Sequence, residues 1–250
     1  MKTVAIYHMK GGVGKTSTAV NIAYLAAAGG WRTLLCDLDP QSSATFFFRV
    51  EPKFKSGARG LIKGGEKIEQ NIRATNYPNL DVLPADLDFR RLDSLLEDKT
   101  GSAKSLKTAL AGVKNGYDVV FLDCPPNLTL LSENIFRAAD MVIVPVIPTT
   151  LSVRSLVQLI KFLREEKFDT SRVYVLFSMV EENIRHQNTM TQTIRHLSGK
   201  YVGGVFNRFI PKDGVVERMG LKREPVPVMD ELSPAGKAYQ AIWKEVLEKL

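Results

Sequence analysis

The sequence predicts an α/β fold, built on a mainly parallel, twisted sheet with helices on both faces. Short runs rich in β-branched residues recur along the chain, and several are continuously apolar, as in strands that are buried on both faces. Helical stretches lie between these runs, and such alternation is typical of a parallel sheet. The length of 250 residues suits a single domain over residues 1–250.

The elements can be assigned in chain order. The predicted strands are residues 3–7, 33–37, 80–83, 119–123, 141–146, 173–177 and 204–209. The predicted helices are residues 16–28, 130–139, 152–166, 189–197 and 233–250. The first helix is followed by Gly29 and Gly30, a common way for a helix to end. Residues 50–77 are polar, with glycines and several lysines, so they predict an exposed loop with one short helix.

Composition narrows the class of protein. Hydrophobic residues form 44% of the chain, enough for a sizeable core, which excludes global disorder. A formal charge of +7 favours a polyanionic partner, nucleic acid or an anionic membrane, although a merely soluble basic protein has the same balance. Cys36 and Cys124 lie in or beside apolar runs, which indicates buried thiols in a reducing compartment. We expect no membrane span, no signal peptide and no helix-turn-helix domain before the first strand.

The most informative segment is residues 10–17, which follows a predicted strand and opens a predicted helix. Its glycines let backbone N–H groups approach phosphate oxygens, and the helix N-terminus adds partial positive charge. We therefore expect ATP with Mg²⁺ here: Lys15 contacts the β- and γ-phosphates, the Thr16 hydroxyl ligates the metal, and Ser17 bonds the α-phosphate. The ATP-binding residues of this loop are Lys10, Gly11, Gly12, Val13, Gly14, Lys15, Thr16 and Ser17.

The loop departs from the usual Walker A pattern, which needs glycine where Met9 stands, and it has Lys10 at its start. Through this deviant loop the chain resembles the ParA/MinD family of P-loop ATPases, and most closely its Soj-like ParA partition proteins, over nearly the whole length. The resemblance implies an ATP-bound homodimer in which Lys10 reaches phosphates held by the partner subunit. A second lysine also fits phosphoryl chemistry, because it neutralises charge on the transferring group.

Three carboxylates are candidates for the metal and the attacking water. Asp37 and Asp39 end a predicted strand two residues apart, so an extended chain directs both toward the ligand crevice of a parallel sheet. Asp123 ends an apolar run, the Walker B arrangement in which aspartate holds Mg²⁺ through a water. The resemblance implies that Asp39 orients the attacking water. The expected catalytic residues are Lys10, Lys15 and Asp39, and the expected magnesium residues are Thr16, Asp37 and Asp123.

The base contacts follow from the resemblance alone. Residues 206–211 occupy the place of the family segment that packs on adenine, so Asn207 and Pro211 are the candidates. Relatives often have arginine and asparagine after this proline, whereas Lys212 and Asp213 stand here, so the side-chain contacts differ. Met179 is a further candidate, although its surroundings favour a position in the core.

Two parts of the chain are candidates for attaching such an ATPase to DNA or to a membrane. In ParA relatives, basic residues of the last third of the chain bind DNA without sequence preference, through phosphate contacts that weaken with salt. The candidate DNA contacts here are Arg185, Arg195, Lys212, Arg218, Lys222 and Arg223. MinD-like relatives instead end in a membrane-inserting helix. Residues 238–250 have an apolar face, but their polar face is charge-balanced, so we expect this tail to pack on the core.

The sequence and its resemblance together predict a cytoplasmic, nucleoid-associated ATPase that dimerises with ATP, binds DNA nonspecifically and positions a plasmid, chromosome or other cargo. A ParB-like or other adaptor protein is expected to stimulate hydrolysis. The alternative is a MinD-like, membrane-associated regulator of the division site. A nitrogenase-type iron protein is disfavoured because Cys36 and Cys124 are badly placed to hold a cluster. A cobyrinic-acid-type amide synthase is disfavoured because 250 residues leave no room for a glutaminase domain.

Overall fold

The computed structural model describes residues 1–97, 105–181 and 183–250, and its strands form one eight-stranded sheet. The strands are β1 (Lys2–Ile6), β2 (Thr33–Asp37), β3 (Arg73–Ala74), β4 (Leu80–Leu83), β5 (Val119–Asp123), β6 (Met141–Val146), β7 (Val173–Phe177) and β8 (Gly204–Val205). Their order across the sheet is β3-β4-β2-β5-β1-β6-β7-β8, and only β3 pairs antiparallel to its neighbour. The predicted fold class is confirmed.

Helices connect and cover these strands. They are α1 (Lys15–Ala28), α2 (Ser43–Phe47), α3 (Gly57–Lys63), α4 (Glu66–Glu69), α5 (Leu92–Glu97), α6 (Ser105–Ala111), α7 (Leu130–Ala138), α8 (Thr150–Glu165), α9 (Arg185–Tyr201), α10 (Gly214–Lys222), α11 (Val226–Asp230) and α12 (Pro234–Lys249). Short 3-10 turns occur at Leu87–Arg91 and Thr170–Arg172. No helix in the described ranges is long and apolar enough to cross a membrane.

Two hydrophobic clusters lie on opposite faces of the sheet. Along the first strand and the residue after it, Ala5 and Tyr7 join one cluster while Val4 and Ile6 join the other, as the two-residue period of a strand requires. Every residue of β2, β5 and β6 is buried, which explains the apolar runs in these strands. Burial of this apolar surface is the main term that stabilises the fold.

The C-terminal helix packs on the core, as its charge-balanced face predicts. Tyr239, Ile242 and Val246 of α12 are at most 1% exposed and belong to the cluster that contains residues of α1. Trp243 meets Trp31 edge to face, with ring centroids 6.0 Å apart. The apolar face of this helix is therefore used inside the molecule.

The sequence-based assignment lacked the helices α2, α5, α6, α10 and α11, and it was wrong at two further segments. Residues 50–77 are not an exposed loop with one helix, because α3 and α4 form there and Phe54, Leu61 and Ile68 are buried. The strand expected over 204–209 stops at Val205. Beyond it the N–H groups of Asn207 and Arg208 donate to the Glu245 carboxylate (2.8 and 3.1 Å), so they do not extend the sheet.

The strand order places the candidate residues together. β1, which leads into the glycine-rich loop, lies beside β5, and β5 lies beside β2. In this register Asp37 is opposite Asp123, and Ile6 is also opposite Asp123. The carboxyl ends of parallel strands form the usual ligand crevice of an open α/β sheet, so the loop and both aspartates share one edge.

Candidate functional site

The turn from β1 to α1 has the backbone of a phosphate-binding loop. Gly12 (φ 71°) and Gly14 (φ 88°) lie in the left-handed region, where other residues are strained. A Cβ atom added at Gly11 or Gly12 would meet nothing within 4 Å, so the space above the loop is open. α1 begins at Lys15, and the N–H groups of a first helical turn have no partner inside the helix. The loop can therefore donate several hydrogen bonds to an anion.

The Lys15 side chain folds back over this loop. Its Nζ donates a hydrogen bond to the backbone oxygen of Lys10 at 3.1 Å, and 8% of the residue is exposed. Burial lowers the pKa of Lys15, whereas the charges of Asp123, Cys124 and Asp39 act in the opposite direction. A buried ammonium held by a single carbonyl can still bond phosphate oxygens.

Asp37 is hydrogen-bonded to the segment that follows β2. Its Oδ2 accepts hydrogen bonds from the Thr45 N–H (2.8 Å) and hydroxyl (2.7 Å), and its Oδ1 accepts one from the Asp39 N–H (3.2 Å). Burial raises the pKa of Asp37, and these donors oppose the rise. These donors tie the Asp37 carboxylate to residues 39–45, and its predicted support of the metal stays a prediction.

Asp123 has the opposite environment. It is fully buried, and neither carboxylate oxygen has a hydrogen-bond partner among the described residues. Burial raises the pKa of Asp123 well above its usual value, and the charge of Asp37 adds to the rise. The nearby Thr16 hydroxyl and the positive charge of Lys15 oppose it. A buried carboxylate without a partner is costly unless a cation or a donor reaches it, and this suits a metal ligand.

Magnesium fits this set of donors. The described residues contain no group of three or more His, Cys, Asp or Glu side chains that would hold a metal ion alone. Mg²⁺ sites commonly use one or two side chains and complete the shell with phosphates and water. The Thr16 hydroxyl and the Asp123 carboxylate supply that minimum beside the phosphate loop.

The loop borders a cavity of about 450 Å³. Its lining residues are Gly11, Gly12, Gly14, Lys15, Thr16, Ser17, Asp39, Gln41, Ser43, Phe47, Pro126 and Met179. The Asp39 Oδ1 accepts the Gln41 N–H at 2.9 Å, which fixes the carboxylate in this cavity. A cavity of about 510 Å³ lined by Val142 and Val173 lies at the amino ends of β6 and β7, far from the loop.

A narrower cavity of about 90 Å³ lies on the other side of Gly14 and Met179. Pro211, predicted at the base site, lines it, and so does Met179, which the sequence favoured as a core residue. Met179 adopts a left-handed backbone (φ 51°) at the end of β7. Tyr239 of α12 also lines this cavity, a contribution that no sequence signal indicated.

Two neighbouring residues show how tertiary contacts define this region. Ser178 is buried and its Oγ donates to the Val13 backbone oxygen at 2.8 Å, which ties the end of β7 to the phosphate loop. Asn207 lines neither of the two cavities around the loop. Its backbone N–H donates to Glu245 of α12 and its carbonyl accepts from Arg195 of α9 (3.0 Å), so this residue links those two helices instead.

His8 and Lys10 are linked at the start of the loop. The fully buried His8 accepts the Lys10 N–H through Nδ1 at 2.9 Å. Burial lowers the pKa of His8 to about 4, and the charges of Lys15 and Lys10 add to the shift. The Lys10 Nζ donates to the Ser152 Oγ at 3.2 Å, at the start of α8. In this single chain Lys10 therefore lies against its own subunit.

The candidate DNA contacts fall into two groups. Arg185, Arg218 and Lys222 have exposed side chains. The other cations are engaged within the chain: Arg195 bonds the Asn207 carbonyl, Lys212 pairs with Glu181 (3.2 Å) and Arg223 contacts Phe46. The sequence could not separate the groups, since it does not show which cations meet a partner.

Comparison with known proteins agrees with this geometry. A family model described as an AAA domain matches residues 1–172. The chain is 32% identical to the virulence plasmid ParA family protein pGP5-D of Chlamydia psittaci, over 100% of this chain and 96% of that protein. It is 31% identical to the sporulation initiation inhibitor protein Soj of Bacillus subtilis, over 98% of both chains.

Among solved structures, the chain is similar to cobyrinic acid a,c-diamide synthase from Mycobacterium smegmatis with bound ADP and magnesium. The TM-score is 0.80 at 25% identity, covering 99% of this chain and 94% of that one. That coverage shows that a synthase chain can be about this long, so the length argument against this class was wrong. With the family model, the two full-length relatives and the deviant loop, the chain belongs to the ParA/MinD family of P-loop ATPases.

Proposed function

We propose that this protein is a ParA-like ATPase that binds Mg-ATP, dimerises, and in that state binds DNA without sequence preference to position a cargo. The observation that carries the proposal is the meeting of the glycine loop, Lys15 and the unpartnered carboxylate of Asp123 at one edge of the sheet. Loop and lysine suit the triphosphate, and Asp123 with Thr16 suits the metal that neutralises it.

Each residue at this edge would have a distinct task. Backbone N–H groups of residues 11–16 would bind the phosphates, and Thr16 and Asp123 would hold magnesium, which offsets phosphate charge when bound. The Asp39 carboxylate, fixed by Gln41, would orient the attacking water in the same cavity as Lys15. Slow hydrolysis would suit a timer, with an adaptor protein of the ParB kind accelerating it.

Lys10 would act after dimerisation. Its ammonium rests on the Ser152 hydroxyl, a neutral acceptor that holds it weakly. Phosphates carried by a second subunit would compete well for this cation, because an ammonium attracts a negatively charged phosphate more strongly than a neutral hydroxyl. ATP-dependent dimerisation would therefore complete the catalytic site with Lys10 from each partner.

The DNA-binding surface would lie in the last third of the chain. Arg185, Arg218 and Lys222 are exposed there and would contact phosphates first. Arg195 and Lys212 make internal contacts that they would have to share with DNA. Binding of this kind loses affinity steeply as salt rises.

A membrane-bound, MinD-like role is the second candidate, and the burial of Tyr239, Ile242 and Val246 weighs against a free membrane-inserting tail. The two roles separate in one experiment, co-sedimentation with plasmid DNA or with anionic liposomes, each with Mg-ATP or Mg-ADP. We expect ATP-dependent sedimentation with DNA. Sedimentation with liposomes alone would overturn the proposal.

An amide synthase is the third candidate, because a solved synthase has this fold. Identity to the ParA-type relatives is 31–32%, compared with 25% to that synthase, so the partition role is favoured. ATP turnover in the presence of DNA, without any cobyrinic acid or amide donor, is expected. Turnover that requires such a carboxylic acid substrate would favour the synthase.

A further inference from the structure

One side chain ties the end of α10 to α2. The Arg223 guanidinium lies over the Phe46 ring, 4.2 Å from its centroid, and its Nε donates to the Phe46 backbone oxygen at 2.9 Å. Phe46 remains 47% exposed, so this contact lies at the surface. Stacking combined with a directed N–H bond is particular to arginine, since lysine has neither a planar group nor an Nε–H on its stem.

A second arginine makes the reverse contact. The Arg49 Nη2 donates to the Lys222 backbone oxygen at 2.8 Å and lies 3.4 Å from the Glu224 carboxylate. Both Arg49 (φ 59°) and Arg223 (φ 54°) have left-handed backbones, which are uncommon outside glycine. Both residues follow the end of a helix, where the left-handed conformation is common, so the contacts join two helix ends. We call Phe46, Arg49, Arg223 and Glu224 the clasp.

The α2 side of the clasp is connected to the nucleotide cavity. Phe46 directly follows Thr45, whose N–H and hydroxyl both bond the Asp37 carboxylate at the end of β2. Asp39 and Phe47, on either side of this contact in sequence, line the cavity beside the phosphate loop. A rearrangement of residues 39–45 around a γ-phosphate would therefore displace Phe46.

The α10 side carries cations. Arg218 and Lys222 of this helix are exposed. At its other end, Val216 and Glu217 line the narrow cavity with Pro211. α10 thus contacts the nucleotide region at its start and, through the clasp, α2 at its end.

We propose that the clasp couples the nucleotide cavity to the exposed cations of α10. Residues 39–45, ordered by a triphosphate, set the position of α10 through Phe46 and Arg223. The position of α10 in turn sets the affinity of Arg218 and Lys222 for DNA phosphates. Arg223 is then a positioning residue and not a DNA contact. The inference rests on the proposed function, and it explains how the sites communicate. Because coupling is reciprocal, DNA strengthens ATP binding through the same contacts.

Replacement of arginine by lysine separates the two roles of Arg223. The Kd for a random-sequence DNA duplex is measured with Mg-ATP and with Mg-ADP. The ratio of the Kd with Mg-ADP to the Kd with Mg-ATP is then compared among variants. We expect Arg223→Lys and Phe46→Ala each to reduce the ratio at least tenfold, and the double variant to reduce it no further. The matched control Arg172→Lys alters an exposed arginine that pairs with Asp169, outside the clasp and the candidate DNA surface, and leaves the ratio within twofold. A wild-type ratio in both clasp variants would overturn the proposal.

Hydrogen exchange tests the clasp without DNA. In the wild type, the amides of α10 are expected to exchange at different rates with Mg-ATP and Mg-ADP, and Phe46→Ala is expected to abolish that difference. Equal exchange rates with the two nucleotides in the wild type, or an unchanged difference in Phe46→Ala, would overturn the proposed coupling. If the exchange rates of α10 depend on the nucleotide through the clasp but the protein binds no DNA, only the proposed function is overturned.

Discussion

Asp37 and Asp123 end neighbouring parallel strands in register, yet only one of the two carboxylates is hydrogen-bonded. Asp37 accepts from Thr45 and Asp39, whereas Asp123 has no partner among the described residues. The two aspartates look equivalent as strand ends, but their surroundings differ. Asp37 is bonded to the segment that follows it, whereas the unbonded Asp123 suits the cation of the proposed function.

Asp123→Asn is expected to have opposite effects on the free protein and on its complex with Mg-ATP. Removal of an unpartnered buried charge should raise Tm without ligand by about 2–4 °C, equivalent to about 1 kcal/mol for a chain of this size. The further rise in Tm on adding Mg-ATP should shrink, because the metal loses a ligand. Thermal unfolding with and without Mg-ATP measures both.

Asp118→Asn is the control, since Asp118 directly precedes β5, at its other end, and pairs with exposed Arg32. It should leave the Mg-ATP effect intact. A ligand-free Asp123→Asn protein that melts below the wild type would contradict the assignment.

Asp39→Ala should retain ATP binding, slow hydrolysis by about 100-fold or more, and accumulate a nucleotide-bound dimer. The Asp39 side chain accepts only the Gln41 N–H within the described structure, so its loss should not unfold the chain. Turnover assays and size-exclusion chromatography with ATP measure these effects. Glu51→Ala, an exposed carboxylate beyond α2, serves as the control. An unchanged turnover rate in Asp39→Ala would remove this residue from the mechanism.

Charge reversal at Arg218 or Arg185 should weaken DNA binding while ATP affinity stays within twofold. Each lost phosphate contact should lower the slope of log affinity against log salt by about 1. Fluorescence anisotropy with a duplex at several salt concentrations measures this slope. Lys161→Glu, an exposed cation of α8 outside the candidate surface, should not change it. Full DNA retention in both reversal variants would place the surface elsewhere.

His8 should make stability depend on acid. Its pKa in the folded protein is about 4, below the 6.5 of a free histidine, so the unfolded chain binds the extra proton first. The contribution of neutral His8 to the free energy of unfolding is therefore present above about pH 6.5, and it is lost as the pH falls toward 4. Between pH 7 and 4.5 the loss should be about 2 kcal/mol.

The difference between wild type and His8→Asn isolates this effect from Asp37 and Asp123, whose raised pKa values act oppositely in the same range. Asparagine can still accept the Lys10 N–H, so the loop should keep its shape. Urea unfolding at pH 7 and 4.5 gives the comparison. Equal losses in the two proteins would show that His8 does not titrate as described.

Strongly patterned elements were predictable. β2 and β5 match their predicted bounds because a strand buried on both faces has an apolar run, which here ends at an aspartate in each strand. α1 differs from its predicted bounds by only one residue, because the glycines Gly14 and Gly29 mark the ends of the helix in the sequence. Residues 50–77 were mispredicted because α3 and α4 are short and their buried residues, such as Leu61 and Ile68, stand among lysines and glycines.

The sequence by itself determined the phosphate loop, because glycines and lysines act there through backbone geometry and charge that are local to residues 10–17. It also determined the sheet, since strand burial is written as apolar runs. Tertiary structure alone decided which groups are left unpaired. The free carboxylate of Asp123, the resting place of Lys10 on Ser152 and the stacking of Arg223 on Phe46 join residues far apart in sequence. A group's burial and partners set its chemistry, and these exist only once the chain has folded.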